Sequence, residues 1–111
     1  MWAAINNLVH SFKLRYLRFL GVPKHVAFIM DGNRRWSKKQ NLPRVEGHRS
    51  GFNTLNSVMK TCFDLGIKHM TVYAFSLDNF KRSLDEVNAI MQLALAAIQK
   101  FKNNRYFIFF L

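Results

Sequence analysis

The sequence predicts an α/β fold built on parallel strands and preceded by an amphipathic helix. Two short apolar runs, His25 to Met30 and Met70 to Phe75, read as strands, and segments of helical periodicity follow each of them. A polar, cationic cluster comes directly after each run: Asp31, Gly32, Asn33, Arg34 and Arg35 after the first, and Ser76, Asp78, Asn79, Lys81 and Arg82 after the second. Strand–helix–strand–helix alternation implies right-handed crossovers, so both clusters fall on one edge of the sheet. That carboxyl edge is where open α/β sheets bind ligands.

The first helix is expected ahead of Gly21 and Pro23, which break it. Trp2, Ile5, Val9, Phe12, Tyr16 and Phe19 recur at helical spacing, whereas Asn6, His10, Lys13 and Arg18 fall elsewhere. Leu14 and Leu17 blur that face. The pattern suits an interfacial membrane anchor, and it equally suits a helix that packs on its own domain or on a partner. The chain thus divides into residues 1–22, an amphipathic helix and candidate membrane anchor, and residues 23–111, one α/β domain. No stretch approaches the ~20 consecutive apolar residues that cross a bilayer. Nor does the amino terminus show an apolar core followed by a small-residue cleavage site.

Continuous apolarity in His25 to Met30 predicts a strand buried on both faces. A polar stretch through Pro43 leads to Gly47 and His48, where a helix opens whose apolar face holds Phe52, Leu55, Met59 and Cys62. Gly66 is placed to close it in a left-handed conformation. Met70 to Phe75, β-branched and aromatic, gives the second buried strand. Ser83 and Glu86 have capping-box spacing, and Val87, Ile90, Met91, Ala94 and Ile98 mark the face of the next helix. The final run, Phe107 to Leu111, reads as a third strand.

Of the 111 residues, 50% are apolar, enough for a real core. Lysine and arginine number 17 against 6 acids, a net charge of +11 that attracts phosphate-bearing partners. A nucleic-acid interface is disfavoured, because the cations gather at strand ends beside glycine and aspartate rather than along one face. The single cysteine, Cys62, excludes an internal disulfide framework and is expected to act as a small core hydrophobe.

Arginine forks match phosphate oxygens, and magnesium is held by one or two carboxylates together with substrate phosphates. The clusters, with arginines, amides, a hydroxyl and Asp31, therefore suit a phosphorylated ligand with a hard metal. Each residue also has a purely structural use: Asp31 as a turn cap, Asn33 at a left-handed position, Arg34 and Arg35 as a solvated pair, His48 as a helix cap. There is no G-x-x-x-x-G-K-[ST] loop, no G-x-G-x-x-G and no zinc spacing.

The segment His25-Val26-Ala27-Phe28-Ile29-Met30-Asp31-Gly32-Asn33-Arg34-Arg35-Trp36 resembles the first block of the cis-prenyltransferases, the undecaprenyl and dehydrodolichyl diphosphate synthases. The resemblance continues through Glu46-Gly47-His48 and Gly51, and through Thr71 to Arg82. Paired arginines after Asn33 and a basic first helix look more like the eukaryotic dehydrodolichyl enzyme than the bacterial one. The resemblance implies condensation of isopentenyl diphosphate with an allylic diphosphate such as farnesyl diphosphate, giving a cis-polyprenyl diphosphate for dolichol synthesis and protein glycosylation. It implies that Asp31 holds Mg2+, that Asn33, Ser76 and Asn79 join Asp31 in catalysis, and that Gly32, Arg34, Arg35, Trp36, Arg44, His48 and Arg82 bind substrate. Ser76 and Asn79 would address isopentenyl diphosphate, and the Val87 to Ile98 face would line a tunnel for the growing chain.

The same resemblance implies a peripheral place on the cytoplasmic face of the endoplasmic reticulum membrane. It also implies, for the full-length protein, a homodimer or a heterodimer with a Nogo-B-receptor-like subunit. Asp78 stands where the family commonly has glutamate. Because the family's later blocks are expected beyond the third strand, residues 23–111 read as the amino-terminal part of its domain. An inactive truncated form that binds allylic diphosphate, membrane or a partner is the alternative.

Overall fold

The computed structural model describes residues 1–102 and the strand 107–110. Three strands, β1 (His25–Ile29), β2 (His69–Tyr73) and β3 (Phe107–Phe110), form an all-parallel sheet with β2 in the centre. The apolar run of the last strand reads on to Leu111, which lies outside the described residues. Helices α1 (Trp2–Leu20), α2 (Asn33–Lys39), α3 (Arg44–Asp64) and α4 (Leu84–Phe101) complete the chain, with a 3₁₀ turn over Leu77–Lys81. His25 pairs with His69 and Ile29 with Tyr73, so β1 and β2 end level with one another. The two polar clusters therefore sit side by side, as the crossover rule requires.

Burial corrects the reading of β1. Val26 and Phe28 are half-buried against the core, while His25, Ala27 and Ile29 are exposed, because β1 is the edge of the described sheet and only one of its faces is covered. In β2 the same alternation is sharper, with Met70 and Val72 buried. Phe52, Leu55, Met59 and Cys62 of α3, the face the sequence predicts, pack on them together with Ile67 and Ala97, which it does not single out. Each large apolar side chain so buried is worth roughly 1.5–3 kcal/mol.

Helix α3 starts at Arg44, a turn ahead of its expected opening. It ends where Gly66, at φ 83°, lets the Gly66 N–H reach the Phe63 carbonyl at 2.9 Å and the Ile67 N–H reach the Cys62 carbonyl at 3.0 Å. The expected polar stretch before Pro43 contains α2, which composition concealed. Its one buried residue is Ser37, and packing on α3 rather than an apolar stripe holds it. Two glycines one turn apart on α3 make that packing close: a methyl built on Gly47 would overlap the Asn33 carbonyl, and one built on Gly51 would overlap the Asn33 side-chain amide.

Helix α4 is rotated from its expected face. Val87, Ile90 and Ala97 are buried and Ala94 is half-buried, but Met91 and Ile98 are exposed. Half of the capping box forms, with the Glu86 N–H donating to Ser83 Oγ at 3.4 Å. The Glu86 side chain turns into the protein instead, where it meets His48.

Candidate functional site

The Met30 N–H donates to the Tyr73 carbonyl at 3.0 Å, tying the end of β1 to the end of β2. Immediately beyond lies a cavity of about 600 Å³ lined by Asp31, Gly32, Asn33, Arg34, Arg35, Arg44, His48, Asn79 and Arg82, with Lys38 at its side. Nine residues expected from the sequence are thus brought together from the link after β1, α2, the start of α3 and the segment before α4. Arg34, Arg35, Lys38, Arg44 and Arg82 give it a strong positive field. Water-accessible arginines converging from several elements suit an anion carrying more than one charge.

Asp31 stands at the mouth with 77% of its side chain exposed. Its Oδ1 accepts from the Gly32 N–H at 2.6 Å, and its Oδ2 accepts from Arg35 Nη2 at 3.2 Å. No group of three or more histidine, cysteine or acidic side chains gathers among the described residues. A lone exposed carboxylate still fits magnesium, which draws its remaining ligands from phosphates and water.

Behind the cavity wall lies Glu86, which its spacing from Ser83 predicts to be a capping-box residue. Glu86 is 2% exposed, and its Oε1 lies 2.8 Å from His48 Nε2, 3.5 Å from Arg82 Nη1 and 3.7 Å from Arg34 Nε. Its Oε2 is 3.6 Å from Arg44 Nη1 and makes no hydrogen bond among the described residues. Burial alone pushes this carboxyl up; the His48 hydrogen bond and the charges of Arg34 and Arg82 outweigh it and hold the group below its ordinary value of 4.5. A signal for Glu86 was present: it falls on the same helical stripe as Ile90 and Ala97, and an acid on a buried stripe requires partners.

Two expected residues stand apart from the cavity. Trp36 lines a neighbouring groove with Ile29, Met30 and Gly47. Ser76 is half-buried, and its backbone N–H donates to Asn79 Oδ1 at 3.2 Å, which fixes the orientation of Asn79 at the rim.

Comparison with known proteins decides the family. The model described as "Putative undecaprenyl diphosphate synthase" matches residues 29–108. The chain belongs to the undecaprenyl diphosphate synthase family of cis-prenyltransferases. This cis-prenyltransferase chain is 61% identical to dehydrodolichyl diphosphate synthase CPT3 of Solanum lycopersicum over 89 residues, which cover 80% of it and 31% of the tomato protein. It is 58% identical to the human dehydrodolichyl diphosphate synthase complex subunit DHDDS over 73 residues, 66% of this chain and 22% of that one. An isoprenyl transferase of Clostridium perfringens is 54% identical over 70% of the chain and 31% of the relative. Among solved structures, lavandulyl diphosphate synthase from Lavandula x intermedia, in complex with dimethylallyl diphosphate, superposes with a TM-score of 0.62 at 36% identity, covering 75% of this chain and 34% of that one. The chain spans about a third of the length of such relatives. Its parallel sheet with flanking helices is the cis-prenyltransferase architecture expected from the sequence.

Proposed function

We propose that this chain forms the allylic-diphosphate half of a cis-prenyl transfer site, in an enzyme that joins isopentenyl diphosphate to an allylic diphosphate such as farnesyl diphosphate. One observation carries the reading: Asp31 and five permanent cations line a single cavity at the adjacent ends of β1 and β2. The plant structural relative is described in complex with dimethylallyl diphosphate, an allylic diphosphate, which supports the ligand class. The names of the tomato and human relatives support a dehydrodolichyl product and a role in dolichol supply.

In such a transfer the C1–O bond of the allylic diphosphate breaks and pyrophosphate departs. The isopentenyl double bond then attacks the freed allylic carbon to form the new C–C bond, and the carbon next to the resulting cation passes its proton to the departed pyrophosphate, which restores a double bond. Charge grows on the departing oxygen, and preorganised cations lower that barrier most effectively. In this reading Arg34, Arg35, Arg44 and Arg82, which line the cavity, serve this task. Asp31 is the residue to hold magnesium, which when bound would add its own charge to neutralise the diphosphate. In this reading Asn79, which accepts from the Ser76 N–H at the rim, addresses the second substrate. The human relative is named as the subunit of a complex, and we extend that to a dimeric or heterodimeric setting for this chain.

The test is calorimetric titration of the chain with farnesyl diphosphate and magnesium, run beside turnover of labelled isopentenyl diphosphate. Binding without turnover is expected of the 111-residue polypeptide. Asp31→Ala should remove the magnesium dependence of binding and leave the fold intact, since the carboxylate is exposed at a strand end. Absence of binding by the parent chain, or an Asp31→Ala variant with unchanged magnesium dependence, would overturn the reading.

A further inference from the structure

We propose that Glu86 is the positioning residue of this anion site, a buried carboxylate that gathers Arg34, Arg44, Arg82 and His48 into one arrangement before any diphosphate arrives. The inference rests on the diphosphate reading of the cavity and goes beyond it, because Glu86 is not a wall residue and carries the wrong charge to bind an anion. Its partners come from separate elements: Arg34 from α2, Arg44 and His48 from α3, and Arg82 from the segment before α4. Without a shared counter-charge these cations would repel one another and spread into solvent.

Geometry separates this role from plain core packing. Removing two charges from water costs several kcal/mol per ion, so a carboxylate that is 2% exposed has to be compensated by its neighbours. The compensation comes entirely from groups whose other face is the cavity: Arg34, Arg44, His48 and Arg82 all line it. A carboxylate only accepts, so His48 Nε2 must carry the proton of the 2.8 Å bond. Glu86 thereby fixes the tautomer of the ring and leaves Nδ1 as the nitrogen available to any other partner. The two carboxylate oxygens are also unequal. Oε1 holds three partners, whereas Oε2 has only Arg44 at 3.6 Å and no hydrogen bond among the described residues. Arg44 is 60% exposed and is therefore the arm freest to swing onto a ligand while the others stay anchored.

The sign of one measurement decides the matter. By Coulomb's law alone, deleting a carboxylate beside a cationic cavity tightens anion binding. A positioning role predicts the reverse. Inorganic pyrophosphate is titrated by calorimetry into the parent chain, Glu86→Gln and Glu86→Asp, with thermal midpoints recorded for each. Glu86→Gln should weaken pyrophosphate about tenfold, the low end of losses seen when an orienting partner behind a binding group is removed. Glu86→Asp keeps the charge, shortens the reach and should fall between the two. The double variant Glu86→Gln/Arg44→Gln should lose less than the sum of its single changes, since the two residues act as a unit.

Should Glu86→Gln fail to fold, Glu86→Asp carries the test, with parent-like pyrophosphate affinity as the refuting result. Glu86→Gln binding pyrophosphate as well as the parent, or better, refutes positioning and leaves the diphosphate reading standing. A parent chain that binds neither pyrophosphate nor farnesyl diphosphate refutes both.

Discussion

Glu86 shows how much one side chain can determine. Its folded-state pKa is depressed, because the His48 hydrogen bond and the Arg34 and Arg82 charges outweigh the opposing effect of burial. A carboxyl with a depressed folded value contributes stability that is fully present above its unfolded value and is lost as pH falls through the folded value. Thermal midpoints of the chain should therefore hold steady above the ordinary glutamate value of 4.5 and decline below it. Glu86→Gln has no such group to protonate, so the gap between parent and variant should narrow as the pH drops through that window. A gap that stays constant from neutral to acid pH would show that the carboxylate contributes packing alone. Cys62, by contrast, behaves as expected of a small core hydrophobe, buried among Phe52, Leu55 and Met59, with burial pushing its thiol up.

At the scale of elements, the contact of α2 with α3 holds Asn33 in place through two missing side chains. Gly47→Ala would drive a methyl into the Asn33 carbonyl and the Ser37 side chain, neither of which can swing away, because one is backbone and the other is 1% exposed. Overpacking of this kind costs ~1–3 kcal/mol. For Gly51→Ala the three nearest atoms all belong to the Asn33 side chain, which can rotate, and alanine recovers up to ~1 kcal/mol of helix propensity. Urea midpoints should thus fall clearly for Gly47→Ala and little for Gly51→Ala; equal losses would mean that Asn33 is not the obstacle. The legibility of elements follows the same physics. Strands β1 and β2 and the apolar face of α3 were readable because periodicity and β-branched content record what they bury. Helix α2 was not, since Asn33–Lys39 buries only Ser37 and its order comes from a neighbour distant in sequence. The strand-end cluster was readable from local sequence, but the Glu86 network was not, because His48 and Glu86 are 38 residues apart and only tertiary contact joins them.

For the molecule as a whole, the unresolved choice in the sequence was between a first helix that packs on its own domain and one that meets a membrane or partner. Every residue of α1 except the half-buried Leu14 is exposed. The side turned towards α3 is polar, a groove lined by Asn7, His10, Ser11, Leu14, Arg15 and Arg18 against Lys60 and Asp64. The stripe of Trp2, Ile5, Val9, Phe12, Tyr16 and Phe19 is open, with Trp2 80% and Phe19 86% exposed. No helix among the described residues is long and apolar enough to cross a membrane, so the orientation expected at a bilayer is flat on its surface. Lys13, Arg15 and Arg18 add attraction worth ~1 kcal/mol each near an anionic leaflet, and the net charge of +11 acts in the same direction at longer range. Two contributions of different range predict two separable losses. Co-sedimentation with phosphatidylserine-containing liposomes should fall sharply when residues 1–20 are deleted. Phe12→Ser combined with Phe19→Ser should weaken it while leaving its salt dependence unchanged, because the charges remain. Far-UV circular dichroism and the thermal midpoint of the double variant should match the parent, since neither phenylalanine is buried. If sedimentation is unchanged by the deletion, the attraction comes from the basic cavity or the remaining surface, and α1 is left as a docking face for another protein chain.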